Sequence, residues 1–536
     1  MRSAIEFIDM DREELNQLVD RARASLSAEE YRKLKGVVEA LTYLTDLVAD
    51  QETTIHDLRE LMFPASTEKT EAVLKKAGME GRSKAAADPP GTSPAGERKQ
   101  NAGGHGRNGA EAYRNPRRVR VSHESLKHGD RCPGCLKGKV YEQQEPRQLV
   151  RIVGQAPLTA TVYELQRLRC NLCGEVYSAG APEGVGEDKY DESAAAMIAQ
   201  LKYGTGMPFY RLEDLEQNLG IPLPASTQWE IVEEAAELIK PARDELIRQA
   251  AQGEVLHNDD TSMKVLALRR AIVEEAGERT GIFTSGVVST GEGRKIALFF
   301  TGRKHAGENL AEVLKRRAAE LPAPIQMSDA LSRNTPKPIK LLVAHCLAHG
   351  RRQFVQITPN FPEPCRHVLE ALGEVYHYDQ LARQRELSRI ERLHFHQQHS
   401  QPVMSVLHQW LDTQMKENKV EPNSGLGKAI KYMLRHWQAL TLFLREPGAP
   451  LDNNLAERAL KKAILHRKNS LFYKTLNGAD VGDLYMTLIH TCELNDVNPF
   501  DYLSELQRHT QELTASPAEW MPWNYRPTPE QSLSNH

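Results

Sequence analysis

Three carboxylates stand where phosphodiester chemistry can be done. Asp259 follows the apolar pair Val255-Leu256, and Asp329 follows Ile325 and Met327. Glu457 lies in a helical segment that opens after Pro450. Hard cations such as magnesium take carboxylate oxygens, and two ions about 3.5–4 Å apart serve the attacking and leaving oxygens of a phosphodiester. Each acid also has a plainer reading: an Asp at a strand end forms turns or caps a helix, and a helix Glu is solvated. Asp260 neighbours Asp259, but successive strand residues face opposite ways, so at most one of them enters such a site. Asp452 reads as the N-terminal cap of the Glu457 helix.

Cations gather near the last acid. Arg458, Lys461, Lys462, Arg467 and Lys468 follow Glu457, with Lys461 one helical turn away. Such residues are the phosphate partners that a carboxylate site admitting DNA requires. Cys346-Leu-Ala-His349 with Arg351 and Arg352 is a second basic cluster. A lone Cys-x-x-His reads as a structural clasp or DNA contact rather than as a zinc site.

The other chemistry is sulfur chemistry. Cys132-Pro-Gly-Cys135 and Cys170-Asn-Leu-Cys173 can together place four thiolates on one tetrahedral zinc, with Gly134 easing the first turn. Four thiolates leave no open position, so the zinc is expected to be structural. The alternating residues between the pairs predict strands, hence a zinc ribbon. With seven cysteines in all, the pattern points to a reducing compartment, not a disulfide framework.

Around these residues the elements can be sketched. Leu34, Val37, Leu41, Leu44, Val48, Gln51, Ile55, Leu58 and Met62 follow a heptad spacing that predicts a coiled coil and self-association. A Gly/Pro/Ala-rich linker follows, ending in the basic residues Arg114, Arg117, Arg118 and Arg120. Residues 190–250 look like helix, turn, helix, with Leu212, Leu215 and Leu219 as one stripe and Gly220 at its end. Ser226 or Thr227 can cap the second helix, which is acidic (Glu230, Glu233, Glu234, Glu237) and so suits packing as well as DNA reading.

From residue 254 the pattern is mixed. Residues 254–260, 263–269, 281–289 and 295–302 predict four successive strands, 310–321 a helix, and 324–330 and 340–346 two more buried strands. That order matches a ribonuclease-H-like core. The fold class is therefore multidomain α+β. Its expected parts are a coiled-coil region (1–70), a flexible basic linker (71–118), a zinc ribbon (119–188) and a helical helix-turn-helix-like region (189–250). A catalytic core (251–358 and 446–490) interrupted by a helical insertion (359–445) follows, then a C-terminal tail region (491–536).

Bulk properties agree with several domains. The chain has 536 residues, 40% hydrophobic and 26% charged, with a net charge of −3. Any DNA surface must then be a local basic patch. No signal peptide and no apolar run of membrane-spanning length is found, so a cytoplasmic protein is expected, associated with the nucleoid when on DNA.

In this setting the chain resembles the transposases of the insertion-sequence-66 family, over about residues 34–505. Leu58–Phe63 with Ser66–Lys69 is similar to the end of that family's leucine-zipper segment, 104–109 to its basic linker and the paired cysteines to its zinc region. The stretch 207–227 resembles the segment before its catalytic domain. His257-Asn-Asp-Asp-Thr261 resembles its first catalytic motif, which implies Asp259. Cys346–Phe354 resembles the block after its second acid. Asp452-Asn-Asn-Leu-Ala-Glu-Arg-Ala459 matches the signature of the final acid, which implies Glu457. Lys468–Phe472 and Glu493–Leu503 resemble C-terminal motifs. Asp329 lacks the aromatic, glycine-rich run that often follows in the family, and Asp260 stands where Glu is common.

The resemblance implies a bacterial DDE-type DNA transposase using two magnesium or manganese ions. It would cleave at the element's end to free a 3′-hydroxyl, which then attacks target DNA in line. Small accessory proteins encoded beside the transposase are implied as partners. The alternatives are a catalytically inactive, domesticated zinc-containing DNA-binding regulator and a ribonuclease-H-like repair nuclease.

Overall fold

The computed structural model describes residues 120–525, with gaps at 142–148, 150, 153–154, 174, 184, 186–187, 275–279 and 337–338, and residues 31, 70, 73 and 74. The heptad segment 34–62 and Arg114, Arg117 and Arg118 of the basic linker lie outside the described residues. The chain forms two units, one of residues 1–82, 163–215 and 222–536, the other of 83–162 and 216–221.

In the smaller unit the first cysteine pair sits on a tight knuckle. The Cys132 N–H donates to the Gly138 carbonyl and the Leu136 N–H to the Cys132 carbonyl, each at 2.8 Å. The left-handed residue is Leu136 (φ 59°) rather than Gly134, because the chain reverses after the second cysteine. In the larger unit the second pair tips a hairpin of β1 (Arg167–Arg169) and β2 (Val176–Ser178). Of the strands expected at 148–154 and 160–170, only Arg167–Arg169 forms among the described residues. Leu149 and Val162, outside that strand, are 91% and 83% exposed.

Helix α1 (Glu192–Ala199) starts at Asp191, whose Oδ1 accepts the Ala194 N–H, and runs into a π turn at Gln200–Gly204. Helices α2 (Phe209–Asn218) and α3 (Ala225–Ala250) follow. Gly220 takes φ +88° past the end of α2. The expected stripe holds at Leu212, which is buried, and fails at Leu219, which is exposed. Pro224, not Ser226 or Thr227, occupies the cap position of α3. This helix buries Val232, Ala235, Ile239, Ala242 and Leu246 and leaves Glu230, Glu234 and Glu237 exposed. The face it leaves exposed is acidic.

A five-stranded sheet follows. Its elements are β3 (Val255–Ser262), α4 (Leu266–Glu274), β4 (Phe283–Gly291), β5 (Arg294–Gly302), α5 (Ala306–Leu314), β6 (Ile325–Ser328) and β7 (Leu342–His345). The strand order is β5-β4-β3-β6-β7, antiparallel from β5 to β3 and parallel from β3 to β7. The strand expected at 263–269 is not formed. Only Val265 makes a bridge, to Tyr473, and α4 begins next, with the Leu266 N–H donating to the Tyr473 carbonyl. Strand β3 continues past Asp259 because its pairing with β4 lasts to Ser262↔Phe283.

Six helices carry the remaining framework: α6 (Leu347–Ile357), α7 (Pro362–Gln384), α8 (Arg389–Lys416), α9 (Gly425–Leu440), α10 (Asn454–Ser470) and α11 (Leu476–Leu494). Helix α11 is buried from Val481 to Cys492 and covers the open edge of β5. Asp483, Thr487, Thr491 and Asn495 accept the N–H groups of Thr301, Phe299, Ala297 and Lys295. Four helical residues advance about 6 Å and two strand residues about 6.8 Å, so the two series stay in step. An edge that would otherwise offer unpaired backbone is thereby closed.

Helices α7 to α9 bury Val368, Leu369, Leu372, Met404, Leu407, Ile430 and Met433 in one core. Val73 packs against it, Leu74 is buried, and Thr70 donates to the Leu369 carbonyl. Val73 and Leu74, within the span expected as linker, thus have a core to join. In the expected C-terminal tail region (491–536) the chain forms α12 (Pro499–Arg508) and α13 (Thr510–Ala515), with Tyr502, Leu503 and Leu506 fully buried. Among the described residues no helix is long and apolar enough to cross a membrane.

Candidate active site

The first two acids are brought together by strand register. Parallel pairing sets His257 against Met327. Continued two residues, it sets Asp259 against Asp329, just past the end of β6. Asn334 then clasps both: its Nδ2 lies 2.6 Å from Asp329 Oδ1 and 3.3 Å from Asp259 Oδ1. Asn334 is itself held by its carbonyl, which accepts from Asn258 Nδ2 and Gln326 Nε2 at 2.7 Å. Burial, and then the Asp329 charge beside it, push the Asp259 carboxyl up to about 7, opposed by the Asp260 N–H that donates to it at 2.8 Å and aided slightly by the Asp260 and Glu457 charges.

Asp260 turns away into a separate pocket. Its Oδ2 accepts from His305 Nδ1 at 2.8 Å and from the Ala306 N–H, at the N-terminus of α5, at 3.4 Å. Arg333 Nη2 lies 3.4 Å from its Oδ1. This carboxylate fastens α5 to β3, with the helix dipole favouring its charge.

Glu457 arrives on the first turn of α10. Asp452 Oδ1 accepts the Asn454 N–H at 3.2 Å, while Asn453 is the residue at the cap position. The Asn453 side chain is spent elsewhere. Its Nδ2 donates to the Asn258 carbonyl (3.1 Å) and its Oδ1 pairs with His257 Nδ1 (3.2 Å). Its backbone N–H donates to Cys346 Sγ at 3.3 Å. Asn453 thus pins the Glu457 helix to the Asp259 strand. Gly286, opposite Asp259 in β4, lets that helix come close. A Cβ there would stand 3.1 Å from the Leu460 side chain. Neither Asn453, Asn334 nor Gly286 was singled out from sequence. The double Asn of the 452–459 motif was the available signal for the first.

Cys346 and His349 converge on the same acid. Cys346 ends β7 and stands at the N-terminus of α6, and His349 is one turn on. Ligand atoms of Cys346, His349 and Glu457 all lie within 4.8 Å of one another. His349 Nδ1 is 3.8 Å from Glu457 Oε1. Burial, and the neighbouring Arg352, lower the His349 pKa, while Glu457 opposes them.

The expected DNA contacts divide into two groups. Arg458, Lys461 and Lys468 are exposed on one face of α10, and Arg120 is exposed in the smaller unit. Arg351 and Arg352 lie on α6, half-buried. Lys462 and Arg467 are committed within the fold. Lys462 pairs with Glu493 at 2.8 Å and reaches the Gly204 carbonyl. Arg467 binds Thr261 Oγ1, Ser262 Oγ and the Ser262 carbonyl. Their place on the helix turns them inward, toward strand and π turn.

Cys135 lies among backbone N–H groups of its own loop. The Gly138 N–H, 3.4 Å from its Sγ, and then the Lys137 N–H lower its thiol pKa. Cys170 sits where its N–H donates to the Glu175 carbonyl across the hairpin tip, at 2.8 Å. A cavity of about 560 Å³ opens at the opposite end of the sheet, beside Glu254, Ile325 and Leu342, and none of the three acids lines it.

Comparison with known proteins adds an independent finding. The sequence profile described as "Transposase IS66 family" matches residues 189–481, more than half of the chain. Three proteins of Sinorhizobium fredii (strain NBRC 101917 / NGR234), each described as uncharacterized, are similar. One, y4hP, is 27% identical over 384 residues, 67% of either chain. The second, y4jD, is 27% identical over 384 residues, 67% of this chain and 71% of its own. The third, y4qI, is 26% identical over 349 residues, 63% of either chain.

Proposed function

The chain belongs to the IS66 transposase family, and we propose that it cleaves DNA at element ends and joins the freed 3′-hydroxyl to target DNA. Asp259, Asp329 and Glu457 are the acids that do so. The observation that supports this is the Asn334 side chain shared by Asp259 and Asp329, with the Asp329 and Glu457 charges both acting on Asp259. The strand order, with its change from antiparallel to parallel at β3, supports the ribonuclease-H-like reading of the sheet.

The donor set suits hard divalent cations. Burial, and then the Asp329 charge, raise Asp259 to about 7, and bound magnesium or manganese ions would offset both the lost solvation and the repulsion. When bound, such ions supply charge stabilisation for the oxygens of an in-line displacement. The chain's own part is positional. Asn334 holds the two Asp carboxylates in one orientation, and Asn453 and Gly286 set the depth of Glu457. The exposed Arg458, Lys461 and Lys468 form a track along α10 for the phosphates on either side of the scissile bond.

The cysteine pairs are read as zinc ligands. Each pair stands on a reversed loop, and the N–H groups aimed at Cys135 Sγ favour its thiolate. The heptad segment is read as the means of self-association.

The test is cleavage of a labelled element end by the purified protein with magnesium. Asp259→Asn and Glu457→Gln are expected to abolish cleavage while DNA binding persists. Cleavage at wild-type rate in both variants would remove the assignment.

A further inference from the structure

Glu457 faces two different donor sets. One is the carboxylate of Asp259, on which the charges of Asp329 and Glu457 both act. The other is a thiol and an imidazole, Cys346 and His349, whose ligand atoms lie within 4.8 Å of each other and of the Glu457 carboxylate. Cys346 and His349 stand three residues apart where α6 begins, so both reach the same side of that helix.

We propose that Cys346, His349 and Glu457 form a site for a borderline-soft divalent cation of the zinc class, and that filling it withdraws Glu457 from the acid triad.

Several observations bear on this. A sulfur, a nitrogen and one carboxylate oxygen are a tetrahedral zinc set with an open fourth position, and a poor set for magnesium. Zinc sits about 2.3 Å from sulfur and about 2.0 Å from nitrogen, so modest contraction of this cluster would seat it. His349 Nδ1 is buried and makes no hydrogen bond. At 3.8 Å from Glu457 Oε1 it is too far to donate to it, yet near the separation of two ligands on one ion. Cys346 Sγ accepts the Asn453 N–H at 3.3 Å, which fixes it at the start of α6, while burial and then the Glu457 charge push its thiol up to about 12, so a cation must displace the proton. On binding, the Cys346 S–H bond breaks, its proton goes to solvent, and the sulfur lone pair forms the bond to the cation. One carboxylate is then shared by two sites of opposite preference.

The cation binding stands without the nuclease reading; the competition rests on it. The test of binding uses the full chain, stripped with chelator and titrated with cobalt(II), whose bond to thiolate absorbs in the near ultraviolet. Wild type is expected to show an increment of absorbance and one extra cobalt per chain that Cys346→Ser and His349→Ala each remove. The increment belonging to the paired cysteines is expected to remain. His349→Ala removes a half-buried side chain and guards against a Cys346→Ser protein that does not fold. Equal stoichiometry and equal absorbance in wild type and His349→Ala would overturn the site.

The second arm adds zinc to magnesium-driven cleavage. Zinc is expected to inhibit wild type reversibly, and His349→Ala to need on the order of 10-fold more zinc for half-inhibition of its own zinc-free rate. Unchanged cleavage with cobalt bound would overturn the competition. If no cleavage occurs under any condition, the nuclease reading fails, and the cobalt result still decides the site.

Discussion

Replacing Asn453 by alanine tests how the Glu457 helix is held. Asn453, Asn258 and His257 are all buried, with exposures of 0%, 0% and 3%. Alanine removes two bonds, to the Asn258 carbonyl and to His257 Nδ1, and supplies neither partner with a replacement. A buried group left without its partner costs about 1–3 kcal/mol, so two of them cost about 2–4 kcal/mol when strand pairing shares part of the first. The Asn453 N–H bond to Cys346 survives, because it is made by the backbone. Urea unfolding should show the loss as a lower midpoint with an unchanged slope. Cleavage should fall even where the protein is fully folded, because α10 can then shift on β3 and carry Glu457 with it. A stability change under about 0.5 kcal/mol with cleavage intact would show that the helix is placed by apolar packing alone.

Other outcomes follow from the same structure. Gly286→Ala forces Leu460 to give by a few tenths of an ångström, and cleavage is expected to drop more than thermal stability does. Thr487→Val leaves the Phe299 N–H without its acceptor and should cost about 1–3 kcal/mol in urea unfolding. Asp379 is pushed up by burial but held down to about 2 by His396, Arg392 and Arg383, against an ordinary 3.8. Its contribution is present above pH 3.8 and should be lost as pH falls toward 2, a slope that Asp379→Asn should flatten in acid unfolding curves. Burial lowers Lys202 from 10.5 to about 8, so the unfolded chain binds more protons between those values. Stability should therefore rise from pH 8 to 10.5, and Lys202→Met should abolish that rise.

Much of this protein was legible in its residues. Alternation and apolar runs marked β4, β5, β6 and β7 close to where they form, because strands buried on a shared sheet must carry such patterns. The three acids were legible as candidates by setting, and the 452–459 motif named one of them through resemblance. Other features were beyond local pattern. Residues 263–269 are as apolar as a strand, yet their partner is Tyr473, and the backbone bonds it offers start a helix. Of the alternation at 148–154 and 160–170, only Arg167–Arg169 finds a strand partner among the described residues. Lys462 and Arg467 look like neighbours of Arg458 and Lys468 in the chain, but a helix turns 100° per residue, so two face inward and two face solvent.

Sequence by itself determined the kinds of donor available: carboxylates for hard cations, paired thiols for zinc, and arginine and lysine for phosphate. It also determined that strands would precede helices around them, since the 2.0 and 3.6 periods are written residue by residue. Tertiary structure alone decided which donors meet. The parallel register of β3 and β6 sets Asp259 beside Asp329, and a single buried asparagine ties Glu457 to the same strand. The turn from β7 into α6 then delivers Cys346 and His349 to that glutamate from more than one hundred residues away. Such meetings depend on register and helix packing between distant segments, which no local spacing in the chain encodes.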